Sequence, residues 1–466
     1  MKTTKNRRSI RNASVSLAAA AALVLSGCTA GAIDSGDQAT DSDSGSGSGS
    51  GEQVTLNAIF LPATWGTVVQ EQLAPLYEQE TGVKVNVELI GRDAIHEKMA
   101  VLFTSQDSSY DIFNLDYNWI PEFGQGGHLV PLDDALTAED KADFLPLALE
   151  VATWGGQLLG VPQTVHPAVL WYNSALYEDA QTKADFLSST GQELAAPATM
   201  EDWFTQVKFF DGRTFKGQEL SGWAAQAAKG YGNVHTWLSF AFSYGCKPFN
   251  EDFTESTLSS SPECLQATSR WAEMMNYMPA GANEFTYDNV TAAAQQGTVA
   301  TAIQWSWGQF ATDDPSSSQT VGDWSITEMP AGPTGISSGH LAEWVISVSK
   351  YSKHVDEAIK FSVWLESKKN DVFQASNGGG DPVRFSSYSD PILTDELLPD
   401  GETARFRRHS VVLSAMNSAQ PRPFFPGEEI WETTLSTELS AISLGERSVE
   451  EALARADEAQ NKNLAQ

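Results

Sequence analysis

Positive charge, cysteine and apolar runs of spanning length are all scarce in this chain of 466 residues. It has 29 lysine and arginine residues against 60 aspartate and glutamate residues, which gives a formal net charge of −31 at pH 7. Nucleic acids and other polyanions are bound through clustered positive charge, so this balance argues against them as partners. The apolar run over residues 17–25 is shorter than the roughly 17 to 25 residues that a helix needs to cross a bilayer. We therefore interpret it as a processed segment and not as a transmembrane helix.

Recognisable catalytic motifs are scarce as well. The segment His96-Glu97-Lys98-Met99-Ala100 lacks the second histidine of a zinc-protease helix, and we find no Walker phosphate loop or clustered set of His and Cys ligands. Paired carboxylates hydrolyse glycosides, but a chain with 60 acidic residues always contains pairs that look suitable. We therefore expect a binding protein rather than an enzyme, with no cofactor and no metal.

The N-terminus carries the features of an export signal. A basic opening is followed by the apolar run, which ends in Leu25-Ser26-Gly27-Cys28. This ending resembles the bacterial lipobox, and the resemblance implies removal of residues 1–27 and diacylation of the Cys28 sulfur. Acyl chains would then anchor the protein to a membrane. An ordinary secretory signal that happens to end near a cysteine is the alternative.

A low-complexity stretch follows the predicted anchor. Residues 28–53 are rich in Gly, Ser and Asp and bury little apolar surface, so we expect a flexible tether. Of the three cysteines, Cys246 and Cys264 remain as an even pair in an oxidising compartment. A disulfide between them is the default expectation, and two buried free thiols are the alternative.

Strand and helix patterns alternate after the tether. Residues 54–60, 83–89 and 110–115 read as strands, whereas residues 69–77 and 93–104 have the spacing of helices. This order predicts a mostly parallel sheet with helices on both faces. The roughly 413 residues beyond the tether are too many for a single core, so the chain should form two lobes.

Tryptophan, which occurs 14 times, falls at the ends of predicted strands. Trp65 follows the first strand, and Asp116, Asn118 and Trp119 follow the third. Ligands of open sheets sit beyond the carboxyl ends of the strands. We therefore expect these side chains at one binding edge, although a single loop tryptophan more often packs against the core.

Seven short matches stand in a characteristic order along the chain. They are residues 78–85, 110–113 with 127–132, 160–162 with 170–173, 197–203, 297–300, 329–333 and 448–453. The fourth reads Pro197-Ala198-Thr199-Met200-Glu201-Asp202-Trp203, with Met where Trp is usual. In this order, behind a lipobox and a tether, the segments resemble the extracellular solute-binding protein family of ATP-driven importers, specifically its carbohydrate-binding group.

The resemblance implies a two-lobed α/β fold of the periplasmic-binding-protein type. Each lobe is expected to be a mostly parallel sheet flanked by helices, with crossings near residues 161–165, 300–304 and 340–346. The implied parts are a signal peptide over 1–27, a tether over 28–53, lobe 1 over 54–162 plus 303–341, and lobe 2 over 163–302 plus 342–466. The implied mechanism is closure of the lobes around a ligand.

The implied partners are a carbohydrate ligand and the permease subunits of an ABC transporter. We expect a lipid-anchored monomer on the extracellular face of the cell membrane, and the Gly/Ser/Asp tether fits a Gram-positive surface. A surface-anchored glycan-active enzyme and a polysaccharide adhesin are the alternatives.

Carbohydrate binding supplies a reason for the many tryptophans. A pyranose stacks its apolar face on a flat indole ring, while its hydroxyl groups bond to carboxylates and amides. The candidate ligand-binding residues are Trp65, Asp116, Asn118, Trp119, His166, Trp305, Trp307, Glu343, Trp344 and Arg384.

Several of these candidates have a structural alternative. Glu343 and Trp344 are adjacent in a predicted strand, so they should face opposite ways. Of Trp305 and Trp307, at least one is expected to pack in the core. Arg384 could equally form an ion pair.

Overall fold

A computed structural model describes residues 53–394 and 409–465. The predicted signal peptide, Cys28 and nearly all of the tether lie outside these residues. Within the described part of the chain, no helix is both long and apolar enough to cross a membrane.

The strands form one large mixed sheet system and two small hairpins. They are β1 (Thr55–Phe60), β2 (Lys84–Leu89), β3 (Ile112–Asp116), β4 (Thr153–Trp154), β5 (Gln157–Leu158), β6 (Val161–Asn173), β7 (Thr214–Phe215), β8 (Gln218–Glu219), β9 (Ser221–Ala224), β10 (Val299–Trp305), β11 (Trp324–Thr327) and β12 (Leu341–Val348). The large system has the order β2-β1-β3-β12-β6-β10-β9, with β11 also paired to β6. The pairs β4–β5 and β7–β8 are the hairpins.

Helices cover the sheets. They are α1 (Thr64–Val68), α2 (Ala74–Thr81), α3 (Arg92–Thr104), α4 (Ile120–Gln125), α5 (Ala138–Asp143), α6 (Pro146–Val151), α7 (Ser174–Glu178), α8 (Ala180–Thr190), α9 (Met200–Phe210), α10 (Tyr231–Tyr244), α11 (Pro262–Met274), α12 (Tyr287–Gln296), α13 (Val355–Leu365), α14 (Lys368–Ser376), α15 (Phe385–Tyr388), α16 (Pro391–Thr394), α17 (His409–Ser418), α18 (Glu428–Ser443) and α19 (Val449–Leu464). A π-helical turn (Val69–Leu73) joins α1 to α2. Short 3₁₀ segments occupy Tyr117–Trp119, Met275–Tyr277, Ala282–Glu284 and Ser306–Asp313.

The strand β6 divides the large sheet into two lobes. Its first half pairs antiparallel with β12, which in turn pairs with β3, and its second half pairs with β10 and β11. Lobe 1 is therefore the sheet β2-β1-β3-β12 with the start of β6, and lobe 2 is the end of β6 with β11, β10 and β9. The pairs β1–β2, β1–β3 and β9–β10 are parallel, as the alternating pattern predicts. The crossing strands β6 and β12 run antiparallel to their neighbours. This confirms the expected two-lobed α/β architecture.

Two strands lie in the opposite lobe from the one that the sequence predicts. β11 falls in the range predicted for lobe 1 but pairs with β6 in lobe 2, whereas β12 falls in the range predicted for lobe 2 but pairs with β3 in lobe 1. The chain therefore crosses between the lobes in β6, in the segment 328–340 and in the segment 419–427, after which α18 and α19 pack on α10 and α11 of lobe 2. The predicted crossing at 300–304 lies inside β10 instead. Alternation of apolar residues shows that a strand is present but not which strand lies beside it.

The start of α9 shows how local sequence signals lead to packing. The side chains of Thr199 and Asp202 each accept a hydrogen bond from the backbone N–H of the other, which forms a capping box. This start places Trp203 on the buried face of α9, where its indole N–H donates to the hydroxyl of Thr301 in β10 over 3.0 Å. The helix is thereby held against the lobe 2 sheet.

A disulfide joins Cys246, just after α10, to Cys264 in the first turn of α11. Both cysteines are buried. The bond links two neighbouring helices of lobe 2.

Gly339 in the crossing segment 328–340 lies against the backbone of the strand β6. A Cβ atom on Gly339 would lie 2.1 Å from the carbonyl oxygen of Ala168 in β6, a distance that real contacts do not reach. The close approach lets Gly339 and β6 run side by side where the lobes meet.

Substitution Gly339→Ala should therefore lower the free energy of unfolding by about 1–3 kcal/mol, because the backbone of β6 must shift to admit the methyl group. Urea titration monitored by circular dichroism measures this loss. Gly232→Ala, whose new methyl group would make only an ordinary 3.5 Å contact with the Gln226 side chain, is the matched control and should cause no comparable loss. Equal stability of Gly339→Ala and wild type would contradict the close approach.

Candidate functional site

A cavity of about 920 Å³ lies between the two lobes. From lobe 1, its wall includes the segment that follows β1, the end of β3 and part of β12. From lobe 2, it includes the end of β10, the Ser306–Asp313 segment and the first turns of α10 and α12. The carboxyl ends of β1, β3 and β10 all point to it, as expected for an open α/β sheet.

Two tryptophans form the lobe 1 wall. Trp65 lies in α1, directly after β1, and its indole N–H donates to the side-chain oxygen of Asn114 over 3.3 Å. Trp344 lies in β12, opposite Asp116 of β3. The ring centroids of Trp65 and Trp344 are 6.1 Å apart. This part of the wall is therefore a pair of indoles held by strand pairing and a buried hydrogen bond.

Two further tryptophans form the lobe 2 wall, and each is supported by another ring. Trp305 ends β10 and stacks on His235, with ring centroids 3.9 Å apart and planes at 25°. Trp307 stacks on Tyr287, with centroids 5.1 Å apart and planes at 18°. Both tryptophans line the cavity, and both are at the same time buried in the hydrophobic core, as expected for at least one of them. A supported indole is a rigid surface for an apolar ligand face.

The two walls are in contact with each other. Trp65 of lobe 1 meets Trp307 of lobe 2 edge to face, with ring centroids 5.4 Å apart and planes at 88°. Nearby, the hydroxyl of Ser306 donates to the carboxylate of Asp381, which lies after α14. The lobes are thus in direct contact beside the cavity.

Asp116 lines the cavity, but it is already bonded to two arginines. Its carboxylate accepts from Arg422 over 2.6 and 2.7 Å and from Arg92 over 2.9 Å. Burial opposes ionisation of Asp116, but the charges of Arg422 and Arg92 outweigh it and hold the pKa of the carboxyl below its usual value. Asp116 is therefore an ionised group that belongs to a buried ion network.

Arg92 is neutralised by the same network. Besides Asp116, it bonds Glu429 over 3.1 Å and approaches Glu432 within 3.5 Å, both on α18. Among the described residues that line the cavity, Arg92 is the one arginine or lysine. With three carboxylates around it, its charge is balanced before any ligand arrives.

His166 also lines the cavity and is almost fully buried. Its ring centroid lies 5.1 Å from that of Trp65, and its Nδ1 lies 3.5 Å from the carboxylate of Asp381. Burial lowers the pKa of His166 more than Asp381 raises it. The ring is therefore neutral at pH 7 and offers one donor and one acceptor.

Two residues expected beside Asp116 lie outside the cavity wall. Trp119 is fully buried, its indole N–H donates to Glu429, and its ring packs edge to face against Trp344. The side-chain amide of Asn118 donates to the carbonyl of Pro423 over 3.2 Å. The 3₁₀ turn Tyr117–Trp119 directs both side chains into the protein. Neither side chain lines the cavity in this structure, and Trp119 instead packs behind Trp344.

Arg384 and Glu343 are also buried away from the cavity. Arg384 lies 3.3 Å from Asp140 and 3.4 Å from Asp143, and it donates to the backbone carbonyl of Glu366 over 2.8 Å. The ion-pair alternative is therefore the one observed. Glu343 alternates with Trp344 along β12, so it faces the other side of the sheet, as the strand pattern indicates. Neither residue lines the cavity.

Sequence reasoning missed several residues of the wall. Arg92 begins α3 directly after β2, so the rule that ligands lie beyond strand ends would have included it. Tyr231 and Tyr287 begin α10 and α12, and Tyr231 follows Gly230 in an aromatic and glycine-rich stretch. No local pattern connects these helix starts to strands far away in the chain.

Glu343 makes the stability of the protein depend on pH. Both of its carboxyl oxygens are buried and have no hydrogen-bond partner among the described residues. Burial raises the pKa of Glu343 well above its usual value. The folded protein therefore keeps this carboxyl protonated at pH values where the unfolded chain ionises it. Its contribution to stability is complete below the unfolded pKa and falls as pH rises towards the folded pKa.

Substitution Glu343→Gln should remove this dependence. The difference in unfolding free energy, variant minus wild type, should become more positive between pH 5 and pH 8, and urea titrations at both pH values measure it. Glu97→Gln, which changes an exposed carboxylate on α3, is the control and should show no such trend. A difference for Glu343→Gln that does not change with pH would contradict the assignment.

Known proteins share this architecture. A probable ABC transporter-binding protein of Deinococcus radiodurans is 24% identical over 287 residues, which are 61% of this chain and 64% of the relative. The match therefore spans less than two thirds of that relative. Maltose-bound MalE3 of T. maritima superposes with a TM-score of 0.73 at 20% identity, over 88% of this chain and 99% of that chain. An ABC transporter solute-binding protein of Agrobacterium radiobacter K84 in complex with ribitol superposes with a TM-score of 0.74 at 24% identity, over 88% of this chain and 98% of that chain.

These structural likenesses confirm the two-lobed fold of the periplasmic-binding-protein type. The sequence also matches the family model of bacterial extracellular solute-binding proteins over residues 49–372, which is more than half of the chain. The chain belongs to the bacterial extracellular solute-binding protein family.

Proposed function

We propose that this protein is a lipid-anchored extracellular receptor that captures a neutral sugar or oligosaccharide between its lobes and delivers it to an ABC permease. The observation that carries the proposal is the set of four indoles around the cavity. They are Trp65 and Trp344 from lobe 1 and Trp305 and Trp307 from lobe 2.

The wall suits a molecule with flat apolar faces and polar edges. Sugar rings stack their C–H faces on indoles, and their hydroxyl groups require donors and acceptors around those rings. The indole N–H of Trp307 is buried and has no partner among the described residues, so a ligand hydroxyl would satisfy it. Gln226 supplies an amide in the same wall. The cavity volume of about 920 Å³ lies near the upper end of the range of about 300–1,000 Å³ for small-molecule sites, which leaves room for more than one sugar ring.

The charges of the wall favour a neutral ligand over an amino acid. An amino acid or a sugar acid brings a carboxylate, which needs an available cation when it leaves water. Arg92 is surrounded by Asp116, Glu429 and Glu432. The rest of the wall adds the carboxylates of Asp288, Asp313 and Asp314. An anionic ligand would have to break part of this network.

Closure of the lobes would couple binding to transport. Each lobe supplies two of the four indoles, so a ligand that contacts both walls stabilises the closed arrangement more than the open one. The closed form would then dock on permease subunits as a monomer. The similarity to a probable ABC transporter-binding protein of Deinococcus radiodurans supports the link to ABC transport.

The lipid anchor is part of the proposal. The lipobox places a diacylated Cys28 at the mature N-terminus, and the Gly/Ser/Asp stretch that follows would hold the lobes near the permease. On a Gram-positive surface, such an anchor prevents loss of the receptor by diffusion.

Catalysis by the chain has little support. Residues 335–339 have the Gly-x-Ser-x-Gly spacing of a hydrolase motif, but they lie in the crossing segment 328–340, where no helix follows the serine. The hydroxyl of Ser337 donates to the backbone of Met329 over 2.5 Å. Members of the matched family are binding proteins.

A thermal-shift panel on protein that lacks residues 1–28 tests the ligand class. Maltose, maltotriose, ribitol, glucuronate, glutamate and spermidine are the probes. A ligand at a thousandfold its Kd stabilises the folded protein by about 4 kcal/mol, so a neutral sugar or polyol should raise the melting temperature. A shift with glutamate or spermidine alone would overturn the proposal, and hydrolysis of a sugar that shifts the melt would favour the enzyme alternative.

Removal of one indole tests the placement of the ligand. The Trp307→Ala variant should bind the sugar identified in the thermal-shift panel about tenfold to a hundredfold more weakly, because a buried aromatic contact is lost. Isothermal titration calorimetry measures the Kd. Trp364→Ala is the matched control, since this half-buried indole on α13 bonds Glu80 away from the cavity. Equal losses for the two variants would show that the ligand does not lie against Trp307.

A further inference from the structure

The face of Trp305 opposite the cavity rests on a histidine. His235 lies on α10, is fully buried, and stacks on the indole with ring centroids 3.9 Å apart. Tyr231, one turn earlier on α10, stacks on the same histidine with planes at 7°. The orientation of Trp305 therefore depends on where the His235 ring is held.

His235 is in turn held by a second histidine. Its Nδ1 lies 2.9 Å from Nδ1 of His340, which is also fully buried. Burial and the charge of Arg422 lower the pKa of His235 to about 3, and burial, His235, Arg422 and Arg92 lower that of His340. Two neutral rings can share this contact only if one donates from Nδ1 and the other accepts there. The pair must therefore consist of opposite tautomers.

The His235–His340 pair leaves two buried polar atoms without hydrogen bonds to the described part of the chain. The Nε2 atoms of both rings are buried and have no hydrogen-bond partner among the described residues. Such a pair costs more than two apolar side chains of the same shape would. A structural requirement for the orientation of these rings would account for their presence.

His340 stands where all three crossing segments meet. It ends the segment 328–340, and its carbonyl accepts from the backbone N–H of Ala168 in β6 over 2.7 Å. Its neighbours Gly339 and Leu341 exchange backbone hydrogen bonds with Gln420 of the segment 419–427, over 3.0 and 2.8 Å. Ala168 is also the register partner of Trp305. The indole and the crossing segments are thus joined through the backbone on one side and through the histidine pair on the other.

We propose that His235 and His340 are positioning residues that set the orientation of Trp305 according to the arrangement of the three crossing segments. A change in the crossings moves His340, His340 moves His235, and His235 moves the indole that faces the ligand. The consequence for affinity rests on the proposed binding of sugar in this cavity, whereas the coupling between the rings does not.

Nuclear magnetic resonance of the ligand-free, ¹⁵N-labelled protein tests the coupling. The expected signature is a scalar coupling between the two Nδ1 nuclei, with His235 and His340 in opposite tautomers. His340→Phe should shift the Trp305 indole signal, which Trp305→Phe assigns. His128→Phe is the matched control, because His128 also stacks on a ring (Phe103) and bonds a side chain (Tyr351) but does not line the cavity.

In this ligand-free arm, the proposal would be overturned if both histidines had the same tautomer. It would also be overturned if the Trp305 indole signal were identical in wild type and His340→Phe. If His340→Phe does not fold, the tautomers and the coupling between the two Nδ1 nuclei of the wild type still test the proposal. The Trp305 signal is then compared between wild type and His340→Asn, which retains a polar side chain.

Binding of maltose and ribitol gives the second arm. Loss of one buried hydrogen bond should weaken binding in His340→Phe by about threefold to tenfold, and His340→Asn should recover part of the loss. Unchanged affinity in His340→Phe would overturn the positioning role. If wild type binds neither probe nor any other sugar, the proposed function fails, while the ligand-free arm still reports whether the two histidines set the orientation of Trp305.

Discussion

The backbone pairing of β6 with both sheets determines most of what surrounds the cavity. Its first half bonds β12 and its second half bonds β10, so the change of partners occurs between Pro167 and Ala168. At this point Trp305 of β10 and His340 at the start of β12 come to lie on either side of one strand. The close approach of Gly339 to the Ala168 carbonyl belongs to the same junction. The cavity wall and the crossing segments therefore share the same few residues.

A buried ion network forms the second connection between the lobes. Asp116 at the end of β3 and Arg92 at the start of α3 belong to lobe 1, whereas Glu429 and Glu432 belong to α18, which packs on lobe 2. Arg422, in the last crossing segment, bonds Asp116 and Glu432 and joins the two groups. Removal of any one partner would leave a buried charge uncompensated, which is costly. Arg92, the one arginine or lysine among the described residues that line the cavity, is thereby paired with carboxylates, which supports the proposed neutral ligand.

Local sequence patterns predicted which segments form strands and helices better than they predicted which side chains contact each other. The strands predicted over residues 54–60, 83–89 and 110–115 correspond to β1, β2 and β3, because such patterns depend on residues close together in the chain. Six of the ten candidate residues line the cavity, and they are Trp65, Asp116, His166, Trp305, Trp307 and Trp344. Trp119 and Asn118 were misplaced because a single 3₁₀ turn after β3 reverses the direction of their side chains. Arg384 was misplaced because its partners, Asp140 and Asp143, lie more than 200 residues away.

The amino-acid sequence by itself predicted the class of the chain: an acidic α/β protein of two lobes, with tryptophans at its strand ends and a segment before Cys28 that resembles a lipobox. These properties follow from composition, periodicity and short motifs, all of which are local. Only the tertiary structure decided that β11 belongs to lobe 2 and β12 to lobe 1, that buried carboxylates balance the charge of Arg92, and that His235 and His340 pack next to Trp305. Each of these depends on contacts between residues distant in the chain, and local periodicity carries no information about which distant partner a strand or a charge will find.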